Sequence, residues 1–333
     1  MAQMKYFYEL TVSSSPHVHS PVTTPVIMRD VLIALLPALI GSVYFFGFRA
    51  LLVTLVSAAG CVFFEWAYRK LMKLDSTVYD LSALVTGVLL AFVCPVTIPY
   101  WCILIGDFFA IVVVKQLFGG IGRNFMNPAL AARAFLFSWP ALMSRWVQVG
   151  FSHSAGLFST VDIVTAATPL ASMHSGVLAQ VSLADLFFGR VGGCLGETSA
   201  LLLLIGFAYL LIRRVLTPRI PLAYLLTVAV LSFAFPRGNP RLAWMGAQLL
   251  SGGLMLGALF MATDYVTSPV TRGGQILFGI GCGVITIAIR YFGAYNEGVS
   301  YAILIMNALT ALLDRVGRPK KYGAPRAKEA GKK

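Results

Sequence analysis

The chain has 333 residues, of which 58% are hydrophobic and only 12% charged, and its mean hydropathy is +0.80. Soluble domains carry about 25% charged residues, so this composition excludes a soluble enzyme, a nucleic-acid-binding protein and a disordered chain. The formal net charge of +13 is explained by orientation in a membrane rather than by a nucleic-acid partner. The sequence predicts a polytopic membrane protein.

Apolar runs recur along the chain at roughly 15–25 residues each, the length that a helix needs to cross a bilayer. The first 25 residues are polar and show no cleavable signal peptide. We predict ten spans, of which the third, seventh and tenth are short enough to be tilted, kinked or partly re-entrant. They are 26–47, 50–68, 81–95, 98–117, 128–144, 197–213, 221–235, 243–263, 273–291 and 299–313.

Ten spans place both termini on the same side of the membrane. When that side is the cytoplasm, most Lys and Arg residues lie inside, among them those of the tail 315–333. The positive-inside rule therefore predicts cytoplasmic termini, and the basic charge would also meet anionic lipid.

One connection, residues 145–195, is far longer than the others and lies on the outer side in this topology. Its apolar stretch Leu183–Phe188 favours a packed cap over a loose linker. We expect five regions: an N-terminal arm 1–25, a five-span unit 26–144, the outer loop 145–195, a second five-span unit 196–314 and a basic tail 315–333.

The two five-span units resemble each other weakly in sequence. The matched segments are Gly87–Leu90 with Gly257–Phe260, Val96–Pro99 with Val266–Pro269, and Lys115–Gly119 with Arg290–Gly293. Because each unit has an odd number of spans, the second would be inverted relative to the first. The alternative is chance similarity among small and β-branched residues. The fold class we expect is an all-α integral membrane protein with about ten transmembrane helices in two inverted five-helix repeats.

A short segment of the outer loop, Thr165–Leu170, contains two threonines beside small residues and Pro169. A Thr before a Pro is usually an ordinary turn or cap residue. A hydroxyl is also what a phosphoester linkage needs, and small neighbours would leave it open to a modifying enzyme.

This segment resembles the [Ser/Thr]-[Gly/Ala]-Ala-Thr motif of an integral-membrane flavoprotein family. The family includes the D subunit of the Rnf complex and the B subunit of the sodium-translocating NADH:quinone oxidoreductase. The resemblance extends in order over essentially the whole chain, and the length and Pro169 are closer to the Rnf protein. Further matching segments are Lys115–Ala129, Gly196–Ser199, Met261–Pro269, Glu297–Gly298 and Ile303–Asn307.

The resemblance implies FMN joined through its phosphate to the side-chain oxygen of Thr168, installed by a flavin transferase. Thr165 occupies the first hydroxyl position of the motif, and Ala166 replaces the commoner Gly. Arg145 or Arg190 would balance the remaining phosphate charge, or either is simply a solvated loop residue.

The resemblance also implies a second, non-covalent flavin, riboflavin, nearer the cytoplasmic side. Asn124 and Asn127, in a glycine-rich stretch, could bond a flavin edge, or they could be helix caps and packing residues. Glu197, which opens the sixth span, is a further cofactor-binding candidate, although an acid there is favourable against the helix dipole without any cofactor.

Acids at membrane depth are the other candidates, because ionisable residues there are costly and mark ion or proton paths by default. Asp107 lies mid-span in the fourth predicted helix, whereas Glu65 lies late in the second, beside Arg69 and Lys70. We predict Asp107 as the ion-pathway residue.

No catalytic residue set, metal-ligand spacing or dinucleotide fingerprint is present in the sequence. The resemblance implies a flavin-carrying electron-transfer subunit of an ion-translocating ferredoxin:NAD⁺ oxidoreductase complex in a prokaryotic inner membrane. Its partners would be the other Rnf subunits, including a second covalent flavoprotein and an NAD-binding subunit. The alternative is a channel or transporter for a small solute or ion, since inverted repeats are shared with such proteins.

Overall fold

The computed structural model describes residues 22–146, 168–178, 181–197, 199–293 and 295–316. Within these ranges the chain is helical and contains no β-strand. The α-helices are α1 Thr24–Phe46, α2 Phe48–Leu71, α3 Ser82–Phe92, α4 Tyr100–Phe108, α5 Pro128–Leu136, α6 Pro140–Met143, α7 Pro169–His174, α8 Leu183–Phe188, α9 Ala200–Ile212, α10 Arg219–Ala234, α11 Arg241–Leu250, α12 Leu254–Leu256, α13 Arg272–Phe292 and α14 Val299–Leu313. Two π-helical segments, Phe109–Gln116 and Gly257–Met261, continue α4 and α12.

Three helices of the described chain, α1, α2 and α13, are long and apolar enough to cross a membrane. A fourth candidate is the pair formed by α11 and the continuous helix Leu254–Met261, which bends by 63° at its break. Helices α3, α9, α10 and α14 are apolar but shorter. The composition and these apolar helices identify a membrane protein.

Each of the ten predicted runs contains helix, but some runs are divided. The prediction of one continuous helix over 128–144 is wrong, because α5 ends at Leu136 and a separate short helix begins at Pro140. The residue before a proline is disfavoured in helical conformation, which explains why Trp139, before Pro140, is not helical. The run 243–263 breaks at residues 251–253, where Gly252 adopts a φ of +68° that favours glycine.

Close helix packing depends on small residues, as is common in membrane proteins. A Cβ at Gly206 of α9 would lie 2.0 Å from the Ala34 carbonyl oxygen of α1, and one at Gly87 of α3 would lie 2.7 Å from the Ala58 Cα of α2. Arg213 also joins α9 to α1 through a 3.2 Å ion pair with Asp30. Helix α10 packs along α13, where Tyr224 and Thr286 share a hydrogen bond.

Many large apolar side chains lie on the outer faces of the helices. Ile40 of α1 and Leu226 of α10 are two-thirds exposed, and Ile212 of α9 is four-fifths exposed. Extensive apolar exposure of this kind marks a membrane or protein interface, in agreement with the hydropathy of the chain.

Candidate functional site

Two cavities lie at opposite ends of α5. We call the larger, of about 210 Å³, the Thr168 cavity, and the smaller, of about 100 Å³, the Asn124 cavity. Pro128 at the start of α5 lines the Asn124 cavity, and Phe137, just after its end, lines the Thr168 cavity. The helix has nine residues and is about 14 Å long at 1.5 Å per residue. This helix therefore sets the separation of the two cavities.

Thr168 lies at the wall of the cavity that carries its name. It is half-buried, with extended backbone at φ −66° and ψ 149°, and it is the residue that precedes α7. Pro169 occupies the first helical position, where its missing N–H costs nothing. The Thr168 side chain makes no capping hydrogen bond to α7, so its hydroxyl remains available to another group.

Aromatic side chains and bare backbone form much of the Thr168 cavity. Phe137, Trp146, Tyr295 and Tyr301 supply aromatic faces, and Tyr295 stacks on Tyr301 with ring centroids 5.3 Å apart. The glycines that also line it are Gly192, Gly193 and Gly252. An apolar, aromatic cleft with a few polar groups is the usual form of a cofactor site.

A buried charge cluster forms the floor of the Thr168 cavity. Arg133 of α5 pairs with Glu197, at 3.4 Å, and with Glu297, and it also donates to the Ser300 hydroxyl at 3.0 Å. Arg133 is 1% exposed. Glu297 accepts from the Gly253 N–H at 2.7 Å, at the break between α11 and α12. The cluster thus connects four segments of the chain beneath the cavity.

Glu197 has a different environment from the one that the sequence predicts. Helix α9 begins only at Ala200, so Glu197 lies before the helix rather than in its first turn. It is 8% exposed, lines the cavity and faces Arg133. The interpretation of Glu197 as a simple helix-dipole residue is therefore wrong, because the neighbouring Arg133 compensates its charge inside the protein.

Two buried polar atoms at the cavity wall lack hydrogen-bond partners among the described residues. They are Oε1 of Glu197 and Oγ of Ser251. Buried polar atoms are almost always bonded, and exceptions call for a missing ligand, ion or water. A flavin carries an N–H group and ribityl hydroxyls that could donate to these oxygens, so the cavity fits such a group.

The two candidate arginines of the outer loop are not among the residues that line this cavity, although Ser144 and Trp146, on either side of Arg145, are. Neither Arg145 nor Arg190 lines it, and no Lys or Arg side chain of the described chain does. Arg190 is exposed and lies 3.8 Å from Asp185, in agreement with a solvated loop charge. Thr165 lies outside the described residues.

At the Asn124 cavity, the side chains of Asn127 and Asn124 make different hydrogen bonds. Asn127 caps α5, accepting from the N–H groups of Ala129, at 3.0 Å, and Leu130, while its amide donates to the Met261 carbonyl oxygen. Within the described chain, Asn124 donates to the Met126 carbonyl oxygen alone, at 3.2 Å, and the residue is 7% exposed. Asn127 thus caps α5 and also lines the cavity, whereas Oδ1 of Asn124 accepts no hydrogen bond within the described chain.

Lys115 and Asp264 are further polar residues of the Asn124 cavity that the sequence did not single out. Lys115 donates to Glu65 at 3.0 Å and to the Ser82 hydroxyl at 2.7 Å. Burial raises the pKa of Asp264, against hydrogen bonds from the Val266 N–H and the Thr267 hydroxyl that lower it. Glu65 is therefore buried in an ion pair with Lys115 and is not a surface acid beside Arg69 and Lys70.

Asp107 belongs to neither cavity. It is 0% exposed in α4, where it contacts Ser57 and Cys61 of α2. The structure thus separates the predicted site residues into three places: Thr168 with Glu197, Asn124 with Asn127, and Asp107 by itself.

The floor residues Arg133 and Glu297 were missed as functional candidates. Arg133 lies within a predicted apolar span, where it counts only as one cytoplasmic charge, and Glu297 is part of a matching motif. An arginine inside an apolar run is a usable signal, because a buried charge must be paired. The sequence does not, however, identify its partner 164 residues away.

Comparisons with known proteins show the family of the chain. The family described as "NQR2, RnfD, RnfE family" matches residues 11–323. The chain belongs to this family. The resemblance that Thr165–Leu170 and the other segments indicate is therefore confirmed, and both cavities lie within the matched range.

Relatives in the NQR2, RnfD, RnfE family cover nearly the whole chain. The D subunit of the Na⁺-translocating ferredoxin:NAD⁺ oxidoreductase complex of Acetobacterium woodii is 48% identical over 97% of this chain and 98% of its own length. The D subunit of the proton-translocating ferredoxin:NAD⁺ oxidoreductase complex of Clostridium ljungdahlii is 40% identical over 95% of this chain and 97% of its own length. The D subunit of the ion-translocating oxidoreductase complex of Escherichia coli is 34% identical, over 94% of this chain and 98% of its own length.

Proposed function

We propose that this chain is a flavin-carrying electron-transfer subunit of an ion-translocating ferredoxin:NAD⁺ oxidoreductase complex, with FMN linked by a phosphoester to Thr168. Two relatives that match almost the whole chain are named as D subunits of such complexes. The single observation that carries the attachment site is the uncommitted Thr168 hydroxyl at the wall of an aromatic cavity. A flavin transferase would make the linkage.

The FMN would supply the redox chemistry, and the residues around it would bind and orient it. The aromatic side chains would hold the isoalloxazine ring and exclude water, since stacked and edge contacts favour a planar group. Oγ of Ser251, and Oε1 of Glu197, which is ion-paired with Arg133 but accepts no hydrogen bond within the described chain, would accept hydrogen bonds from the flavin. Arg133 would keep Glu197 and Glu297 in place beneath it.

A second, non-covalent flavin, riboflavin, is proposed for the Asn124 cavity. Its wall contains amide, ammonium, hydroxyl and carboxylate groups, from Asn124, Lys115, Thr263 and Asp264, which suit the heteroatoms of a flavin edge. The two cavities lie at opposite ends of the nine-residue helix α5, which is about 14 Å long. Electrons could therefore pass between the two flavins directly.

The inverted repeat is part of the proposal, and the contacts of two basic residues support it. Lys115 bonds to the Ser82 hydroxyl at the start of α3. Arg290, its counterpart in the second repeat, donates to the Ser251 carbonyl oxygen at 3.0 Å, just before α12. Equivalent basic side chains thus reach the starts of equivalent half-helices, and broken helices of this kind hold the binding sites of inverted-repeat proteins.

In this proposal the chain spans the inner membrane about ten times, with both termini in the cytoplasm and residues 145–195 on the outer side. The other Rnf subunits, including a second covalent flavoprotein and an NAD-binding subunit, are its partners, with lipid around the apolar faces. Nucleic acid is not a partner. Asp107 is the proposed ion-pathway residue of this subunit.

The covalent linkage can be tested by expressing the chain with and without a flavin transferase. We expect a fluorescent band on a denaturing gel under ultraviolet light only when the transferase is present, because a phosphoester survives denaturation. A dark band in both samples would contradict the flavin attachment and favour the channel alternative.

The second flavin makes a separate prediction, in which Asn127 supplies the matched control. Asn124→Leu should weaken retention of acid-extractable flavin about tenfold, because a lost hydrogen bond in a buried site costs roughly 1–3 kcal/mol. Asn127→Ser should retain it, since Ser also caps a helix. The flavin released by acid from purified protein is measured by fluorescence. Equal flavin content in both variants and the native chain would exclude Asn124 as a ligand.

A further inference from the structure

A buried carboxyl group between α2, α3 and α4 has a hydrogen-bonding pattern that identifies its protonation chemistry. Oδ1 of Asp107 lies 2.6 Å from the Ser57 hydroxyl and 3.3 Å from the Cys61 sulfur. The same Ser57 hydroxyl lies 2.9 Å from the carbonyl oxygen of Gly87. Asp107, Ser57 and Cys61 are each 0% exposed.

The hydroxyl of Ser57 has one hydrogen but two oxygen neighbours within bonding distance. The carbonyl oxygen of Gly87 can only accept. If Asp107 is protonated, its O–H donates to Ser57, and Ser57 in turn donates to Gly87, so that both short contacts are hydrogen bonds. If Asp107 is ionised, Ser57 can donate its one hydrogen either to Asp107 or to the Gly87 carbonyl oxygen, so only one of the two short contacts is a hydrogen bond. The neutral acid therefore accounts for more of the observed contacts.

Charge balance leads to the same conclusion. No Lys, Arg or His of the described chain lies within ion-pair distance of Asp107. Its Oδ2 is buried without a hydrogen-bond partner, a small cost for a neutral carbonyl and a severe one for an unpaired carboxylate.

The backbone of α2 packs closely against Oδ2 of Asp107 at Gly60. A Cβ on Gly60 would lie 2.7 Å from Oδ2 and 2.8 Å from Leu104, so the carboxyl fits into a notch that only glycine leaves open. The titratable groups around it are the thiols of Cys61 on α2 and Cys94 after α3. The charged pair of Glu65 and Lys115 lies one helical turn further along α2.

The same cluster can also hold the ionised form. When the O–H bond of Asp107 breaks and its proton passes to water, the Ser57 hydroxyl can rotate from Gly87 to donate to Oδ1. The Cys61 thiol supplies a second donor to that oxygen, and two donors to a carboxylate are stabilising. A single hydroxyl rotation thus exchanges the two states.

Asp107 also lies where the helix geometry changes. The π-helical segment Phe109–Gln116 begins two residues after it. Such segments are rare and occur often at functional sites. A carboxyl that served only to join helices would not need this position.

We propose that Asp107, Ser57 and Cys61 form a proton-binding site, at which Asp107 is a neutral carboxylic acid that releases and rebinds one proton. This deepens the proposed function, since it makes the proton the ion that Asp107 handles. The relatives named above include both a Na⁺-translocating and a proton-translocating complex, so kinship does not decide the ion.

Infrared difference spectroscopy of the full chain in lipid tests the site without requiring flavin or electron transfer. We expect a carbonyl band of a protonated carboxyl that shifts in D₂O, disappears reversibly at alkaline pH and is absent from Asp107→Asn. Ser57→Ala should move the band, because it removes the hydrogen bond to the acid. Asp185→Asn, at an acid outside this cluster, should leave it unchanged. A native band that is absent, or that does not shift in D₂O, would overturn the proposal.

Thermal unfolding supplies a second measurement that excludes a bound cation. Asp107→Asn retains the shape and the donor of the neutral acid, so it should unfold at the native temperature in either NaCl or choline chloride. Asp107→Leu should unfold earlier, because Ser57 loses its partner. If Na⁺ stabilises the native chain specifically and Asp107→Asn removes that effect, the site holds a cation and the proposal fails. Loss of covalent flavin would leave these readouts unaffected.

Discussion

Replacement of Thr168 by Val is expected to abolish covalent flavin completely, because no other oxygen would receive the phosphoester. Val has nearly the shape of Thr, and the Thr168 side chain makes no capping bond that the change would break. The variant should therefore insert into the membrane and assemble normally. Ultraviolet fluorescence of the denatured band should fall to background, and ferredoxin-dependent NAD⁺ reduction by the assembled complex should be lost with it.

Two other hydroxyl residues serve as matched controls for this variant. Thr165→Val changes the first hydroxyl of the motif, and Ser172→Ala removes a hydroxyl of α7 that bonds to the Pro169 carbonyl oxygen. Both should keep the fluorescent band. A band that persists in Thr168→Val and disappears in Thr165→Val would move the attachment site.

Replacement of Arg133 by Met should produce a large loss of stability. It removes the positive charge shared by Glu197 and Glu297 and leaves both carboxylates beneath the Thr168 cavity. Breaking a buried ion pair from one side costs roughly 3–5 kcal/mol in free energy of unfolding. Thermal unfolding of the purified chain should therefore shift to clearly lower temperature.

Arg190→Met is the control for the loss of an arginine as such. Arg190 is exposed and lies 3.8 Å from Asp185, and a surface pair of this kind contributes about 0–1 kcal/mol. If Arg190→Met and Arg133→Met lowered the unfolding temperature equally, the ion pairs of Arg133 with Glu197 and Glu297 would not stabilise the fold more than a surface pair does.

The sequence predicts the positions of the helices well, because apolar runs of membrane length are a local signal. The breaks that divide an apolar run into two helices are harder to predict from the sequence. A break at Ser251 to Gly253 depends on the positive φ of Gly252 and on the bond from the Gly253 N–H to Glu297. The carboxylate that stabilises this break is 44 residues away along the chain.

The candidate sites show the same limit. Thr168 is predictable from a short motif, and Asp107 from its charge in an apolar span. Their surroundings are not, because the partners come from distant segments: Ser57 lies 50 residues from Asp107. Asn127 shows the converse case, since its cap bonds are local and a helix cap is among the roles that the sequence predicts for it.

Peptide mass spectrometry of the native chain, expressed with a flavin transferase, tests the central claim most directly. The chain is digested, and fragmentation locates any added mass within the peptide that contains Thr165 and Thr168. The account predicts the mass of FMN less one water on Thr168 and on no other residue. An unmodified Thr168, or FMN attached elsewhere, would contradict it.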